Sequence, residues 1–175
     1  MEKGRATDEE IENGIKWIAA CFRRGQRCTC EVINFPTYVD ELGYFYWASP
    51  VPSCVTRKKT LAAIENCEEF LSFFHLPSLK VVSVGEGTGS DLDGLYSAIY
   101  EYSLLSEKPQ SLFRSMEVVL IDKNIKCKPF FLKEDQLLRD PNTDFGNTSQ
   151  LMRSRNITTS FIRTDLKKLS ADLWK

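Results

Sequence analysis

The segment Val81-Val-Ser-Val-Gly-Glu-Gly-Thr-Gly-Ser-Asp91 constrains this chain more than any other. Lys80–Val84 is a short apolar run stopped by glycine, the pattern of a strand buried on both faces of a parallel sheet. From Ser90 the period becomes helical, with Leu92, Leu95, Tyr96, Ile99 and Tyr102 or Ser103 on one face. Between them lie Gly85, Gly87 and Gly89. Glycine tolerates positive φ and lets a backbone approach a ligand with no Cβ in the way, while the following helix offers unpaired amides at its start. A strand, a glycine turn and a helix in this order read as a cofactor platform; the plainer reading is a tight α/β connection.

What is missing narrows the cofactor. A dinucleotide fingerprint places its third glycine at the sixth position, which is Ser90 here, and no Gly-Lys-Ser/Thr follows Gly89 to handle terminal phosphates. A ligand without phosphate, bearing a ribose diol, fits better, and acids at strand ends then become useful. Met116-Glu-Val-Val-Leu-Ile-Asp122 reads as a second buried strand ending on an acid. Ile157–Thr164 is a third, β-branched run, followed by Asp165.

These segments resemble class I (Rossmann-like) S-adenosylmethionine-dependent methyltransferases, from about Leu79 to Leu169. The resemblance implies an open, mainly parallel sheet with flanking helices. It implies that Gly85, Glu86, Gly87, Thr88, Gly89 and Asp91 bind S-adenosyl-L-methionine, the three glycines letting the backbone meet its methionine portion, that Asp122 accepts the ribose hydroxyls and that Asp165 accepts the adenine amine. It supplies no catalytic residue and no metal. The methyl acceptor, RNA or protein, stays open. Two other readings stand beside it: a non-enzymatic, methyltransferase-derived binding or regulatory module, and an NAD-dependent oxidoreductase, which Ser90 opposes.

There are departures from the family pattern. Gly85 and Asp122 are further apart than the ~20 residues of a compact strand–helix–strand unit, which implies an excursion through Ser106–Arg114. The sheet is expected to be truncated after the third core strand, since the chain ends soon after Asp165. In the family the first strand is flanked by the second and fourth, so one edge of Lys80–Val84 needs a cover. The candidates are an N-terminal strand around Cys30–Phe35, another chain as a protein partner or by self-association, or the rest of a longer protein.

Upstream, residues 1–78 form an N-terminal helical extension and 79–175 the cofactor-binding part, expected to make one compact unit. Ile11, Ile15, Ile18 and Phe22 define a helix over Glu9–Arg24 that Asp8 caps. Cys28–Phe35 and Tyr44–Trp47 read as strands, and Pro50 and Pro52 break regular structure. A second helix, capped by Thr56, carries Leu61, Ile64, Cys67, Leu71 and Phe74 on one face up to Pro77. Phe130–Leu138 reads as helix and Asp140–Asn147 as a loop.

Other constellations are weaker. Cys28-x-Cys30 lacks the spacing of a tetrahedral zinc pair, although Cys21 and Cys54 are nearby. His75, the one histidine, sits at a helix end and suits a capping or surface role. The aromatics Phe35, Tyr38 and Tyr44–Trp47 suit either a core or a stacking wall. Acids outnumber bases up to Ser106 and bases outnumber acids beyond it, a dispersed asymmetry that could favour an anionic partner such as RNA. The charged start, Met1–Glu10, lacks the apolar stretch of a leader, and no run approaches the ~18 apolar residues that span a bilayer. Scattered cysteines suit a reducing compartment. The expectation is an intracellular protein, cytoplasmic or nuclear.

Overall fold

The computed structural model describes residues 6–23, 38–85, 89–105, 112–123, 125–144 and 146–164. The chain divides into two compact units, Met1–Val51 and Pro52–Lys175.

The first unit contains helices α1 (Asp8–Arg23) and α2 (Tyr38–Ala48), which pack on each other. Thr7, not Asp8, caps α1. The Thr7 hydroxyl accepts from the Glu10 amide at 3.3 Å and the Glu10 carboxylate accepts from the Thr7 amide at 2.8 Å, so two of the amides that a helix start leaves over are met reciprocally. Asp8 lies inside the first turn, where its charge suits the helix dipole. Tyr44–Trp47 belongs to α2 and is not a strand. Its aromatic composition favours a pleated surface only weakly, and packing against α1 decides the matter. The two helices meet at glycines: a Cβ on Gly43 would lie 2.5 Å from the backbone of Gly14. The proposed strand at Cys28–Phe35 lies outside the described residues.

In the second unit three parallel strands form one sheet in the order β1-β2-β3, with β1 at Ser78–Val84, β2 at Ser115–Asp122 and β3 at Asn156–Arg163. The arrangement is α/β, an open parallel sheet with flanking helices. Central β2 is the strand whose continuous apolar run is explained by burial: Met116, Val118, Val119, Leu120 and Ile121 are all buried. β1 departs from the expectation of two buried faces. Leu79 and Ser83 are buried, Val81 and Val82 are half-buried, and Lys80 and Val84 are exposed. It is an edge strand among the described residues, and Lys80 reaches across the register to Glu117 at 3.6 Å, a solvent-facing pair that contributes little.

Helix α3 (Pro50–Asn66) starts earlier than expected. Pro50 and Pro52 open the helix instead of breaking structure, because the first turn needs no amide donors and tolerates proline's fixed φ. Thr56 is therefore inside α3 and not its cap. The single long helix expected up to Pro77 is interrupted at Cys67, which has extended backbone (φ −137°, ψ 101°) and precedes the short helix α4 (Glu68–Phe74). His75 is exposed and forms the C-cap of α4. Helix α5 (Ser90–Leu105) joins β1 to β2, and α6 (Lys128–Arg139) and α7 (Asn147–Ser154) lie between β2 and β3. The loop after α6 is held by the Asp140 carboxylate, which accepts from the Asn142 amide at 2.8 Å. Helix α7 was not anticipated; its eight residues are too few to show a period of their own.

The core joins α3, α4 and α5 to the sheet, α6 and α7, through Ile64, Phe74, Tyr96, Phe113, Leu120 and Phe131 among others. Helix α5 approaches α3 at Gly94, where a Cβ would collide with the Ser53 carbonyl oxygen and lie 3.0 Å from the Arg57 amide nitrogen. Two polar contacts fix this crossing. Arg57 Nε donates to Glu101 at 3.0 Å. The Asp93 carboxylate accepts from Ser53 at 2.9 Å and from Thr148 of α7 at 2.7 Å. Among the described residues no helix is long and apolar enough to cross a membrane.

Candidate functional site

At the carboxyl end of β1 the chain turns at Gly85, which has φ 77° and is exposed. Its amide donates to the carbonyl of Ile121 at 2.8 Å, so the first glycine of the turn lies beside the last residues of β2. Asp122 ends that strand, is 3% exposed, and accepts from the Thr164 amide through its carbonyl at 3.1 Å. Gly85, Asp122 and Thr164 thus line up along the carboxyl edge of three adjacent strands. In open α/β sheets this edge is where ligands bind. Glu86, Gly87, Thr88 and Asp165 lie outside the described residues.

Gly89 begins α5. Its φ of 91° is a conformation that side-chain-bearing residues rarely adopt, and its carbonyl accepts from the Leu92 amide at 2.9 Å. It is buried, and the space a Cβ would need is taken: the nearest atom, Cδ2 of Phe131 on α6, would be 2.9 Å away, with Leu120 Cδ1 at 3.5 Å. Here the missing side chain makes room for a phenylalanine ring.

Asp91 fastens the start of α5 to β1. One carboxylate oxygen accepts from the Ser83 hydroxyl at 2.7 Å and the other from the Leu92 amide at 2.8 Å. Burial pushes the Asp91 carboxyl above its ordinary range, and the hydrogen bonds from Ser83 and the backbone offset part of that rise. Ser83 was not singled out in the sequence. The signal was available, as a hydroxyl interrupting Val81-Val82-x-Val84 two residues before the turn.

A depression flanks this corner on the helix side. It is lined by Gly89, by Asp93 and Tyr96 of α5 and by Phe131, Glu134 and Asp135 of α6. Its cavity volume is about 10 Å³, far below the ~300–1,000 Å³ of a site for a drug-sized ligand. Asp122 does not line it. The structure therefore brings Gly85 and Asp122 to one edge and Gly89 and Asp91 to the adjoining helix start, with Asp122 covered and Gly89 packed.

Tyr44 and Phe45 are half-buried on α2, whereas Tyr46 and Trp47 are exposed; Phe35 lies outside the described residues. Cys54 and Cys67 are exposed, Cys127 is buried, and Cys28 and Cys30 lie outside the described residues. Among the described residues no cluster of His, Cys, Asp or Glu is arranged to hold a metal. Comparison with protein-family models, with curated proteins and with solved structures returned no match.

Proposed function

We propose that this chain binds S-adenosyl-L-methionine at the carboxyl edge of a Rossmann-like sheet and acts as a methyltransferase-like protein. One observation carries the reading: the Gly85 amide bonds to the carbonyl of Ile121, which places a positive-φ glycine turn directly beside the acid that ends the next strand. Such a pair can serve a zwitterionic, adenosine-bearing ligand. The backbone of Gly85 approaches its amino-acid portion, and Asp122 accepts hydrogen bonds from its ribose diol. Methyl transfer to an RNA or protein acceptor would rest chiefly on holding the sulfonium in line with a nucleophile. Positioning alone lowers such a barrier by several kcal/mol, on the order of 7–11 at the upper end, without a dedicated acid or base.

A second reading is favoured by specific observations. Phe131 occupies the space beside Gly89, and Asp122 is 3% exposed, so a non-enzymatic module that keeps the turn for packing also accounts for the geometry. Calorimetry with S-adenosylmethionine, S-adenosylhomocysteine and NAD separates the possibilities. Binding of the first two supports the proposal, no binding of any leaves the module, and NAD alone overturns both. Asp122→Ala is the internal control: unchanged affinity in a folded variant would refute the ribose role.

A further inference from the structure

We infer that Ser83 and Asp91 form a positioning pair: their hydrogen bond holds the end of β1 against the first turn of α5 and so fixes where Gly85 and Gly89 stand before any ligand arrives. The Ser83 hydroxyl donates to one Asp91 carboxylate oxygen at 2.7 Å, and the other oxygen accepts from the Leu92 amide at 2.8 Å. Each partner stands close in sequence to a positive-φ glycine, Ser83 just ahead of Gly85 and Asp91 just beyond Gly89. The inference rests on the reading of the Gly85–Asp122 edge as a binding site, and it gives Asp91 an indirect role there in place of contact with the ligand.

Packing alone does not ask for this pair. Ser83 is 5% exposed and shares the packed face of the sheet with Val81 and with Leu120, its partner in the register. A hydroxyl there loses its bonds to water and needs a partner, whereas an apolar side chain would continue the run from Val81 to Val84 without one. Replacing two hydrogen-bonded groups by apolar ones of the same shape can be nearly neutral for stability. What apolar groups do not supply is direction, because burial of apolar surface is indifferent to angle while a hydrogen bond is not. The strand end is already held by its own ladder: the Gly85 amide donates to the Ile121 carbonyl at 2.8 Å, next to the pairing of Val84 with Ile121. Helix α5 lies outside that ladder, and Asp91 ties its first turn to the strand. Both Asp91 oxygens serve the protein's own donors, so the residue sets geometry.

The test compares Ser83→Ala, Asp91→Ala, their double variant and Asp91→Asn in the full chain. Asparagine keeps the clasp without the charge: its oxygen can accept from the Leu92 amide while its NH2 donates to the Ser83 oxygen, since a hydroxyl accepts as well as donates. Two quantities are measured, S-adenosylmethionine affinity by calorimetry and, in ligand-free protein, hydrogen exchange of the Gly85 amide relative to that of Leu120 in central β2. A positioning pair requires that each alanine variant weaken binding by about three- to tenfold, the worth of one hydrogen bond. It requires that the double variant bind no more weakly than Asp91→Ala and that Asp91→Asn bind as the parent does. The two single alanine variants, and not the asparagine one, must also speed exchange at Gly85 more than at Leu120. An Asp91→Asn protein as weak as Asp91→Ala, beside an unaffected Ser83→Ala, would overturn the inference by making the charge itself the ligand contact. Exchange raised equally at both amides, or at neither, would overturn it as well. If the parent binds no S-adenosylmethionine the proposed function falls, and the exchange comparison alone decides whether the clasp sets Gly85. Should Asp91→Ala not fold, Ser83→Ala against Asp91→Asn carries the same comparison.

Discussion

Gly89 is the residue where two explanations of one glycine meet. The turn was legible as a place that needs glycine, but the sequence cannot say whether a ligand or a neighbouring side chain takes the freed space. The structure shows Phe131 there. Gly89→Ala should therefore destabilise the fold twice over, through a φ of 91° and through a Cβ 2.9 Å from the ring. A loss of about 1–3 kcal/mol in chemical denaturation is expected. Pairing it with Phe131→Leu should recover part of that loss by removing the clash, whereas additive losses would show that backbone strain alone is responsible.

Asp91 gives a residue-scale prediction in pH. Its carboxyl titrates above its ordinary value because burial penalises the charge. A raised folded value means that the native state holds the proton more tightly than the unfolded chain. The stability it contributes is complete below the unfolded value, near 3.9, and is lost as pH rises through the folded value. Asp91→Asn removes that dependence. Relative to the parent protein, the variant should gain stability as pH climbs from about 3.9 through the raised value, as read from urea midpoints at closely spaced pH. A constant difference between the two proteins over that range would rule out Asp91 as the source.

Elements show why some of this architecture could be read from the chain and some could not. β2, α5 and α6 were legible because each has enough length and a clean enough pattern for burial to leave its mark. The aromatic run Tyr44–Trp47 misled because aromatics serve strand and helix alike, and only the contact with α1 makes it helical. Pro50 and Pro52 misled because proline both ends and begins helices, and nothing local distinguishes the first turn. The α3–α5 crossing was invisible in sequence: Gly94 looks like a weak point in an amphipathic helix, yet it is where the Ser53 carbonyl passes. Gly94→Ala should raise helix propensity and still lower stability, by about 1–3 kcal/mol, because backbone cannot yield as a flexible side chain would. Asp93→Ala acts on the same crossing. It strips the carboxylate from the hydroxyls of Ser53 and Thr148, the latter 4% exposed, and the expected cost of about 1–3 kcal/mol follows from leaving buried polar groups unmet. A thermal midpoint unchanged in both variants would show that the crossing is not held there.

At the scale of the whole molecule, the candidate site was only partly legible. The sequence placed Gly85 and Asp122 at strand ends, and the parallel register brings them side by side. It could not reveal that Asp122 is covered, because that depends on tertiary packing. The same register leaves a question that exchange can answer. Because the Gly85 amide points to β2, alternation along a strand directs the amides of Leu79, Val81 and Ser83 the same way, and those of Lys80, Val82 and Val84 to the opposite edge. No strand of the described residues pairs with that edge. If it is open, Val82 and Val84 should exchange their amide hydrogens much faster than Val81 and Ser83 in dilute solution, although all four share one strand. Equal protection at every position, independent of protein concentration, would mean that another part of this chain covers β1. Protection that grows with concentration would assign the cover to a second copy, because only an intermolecular pairing responds to mass action.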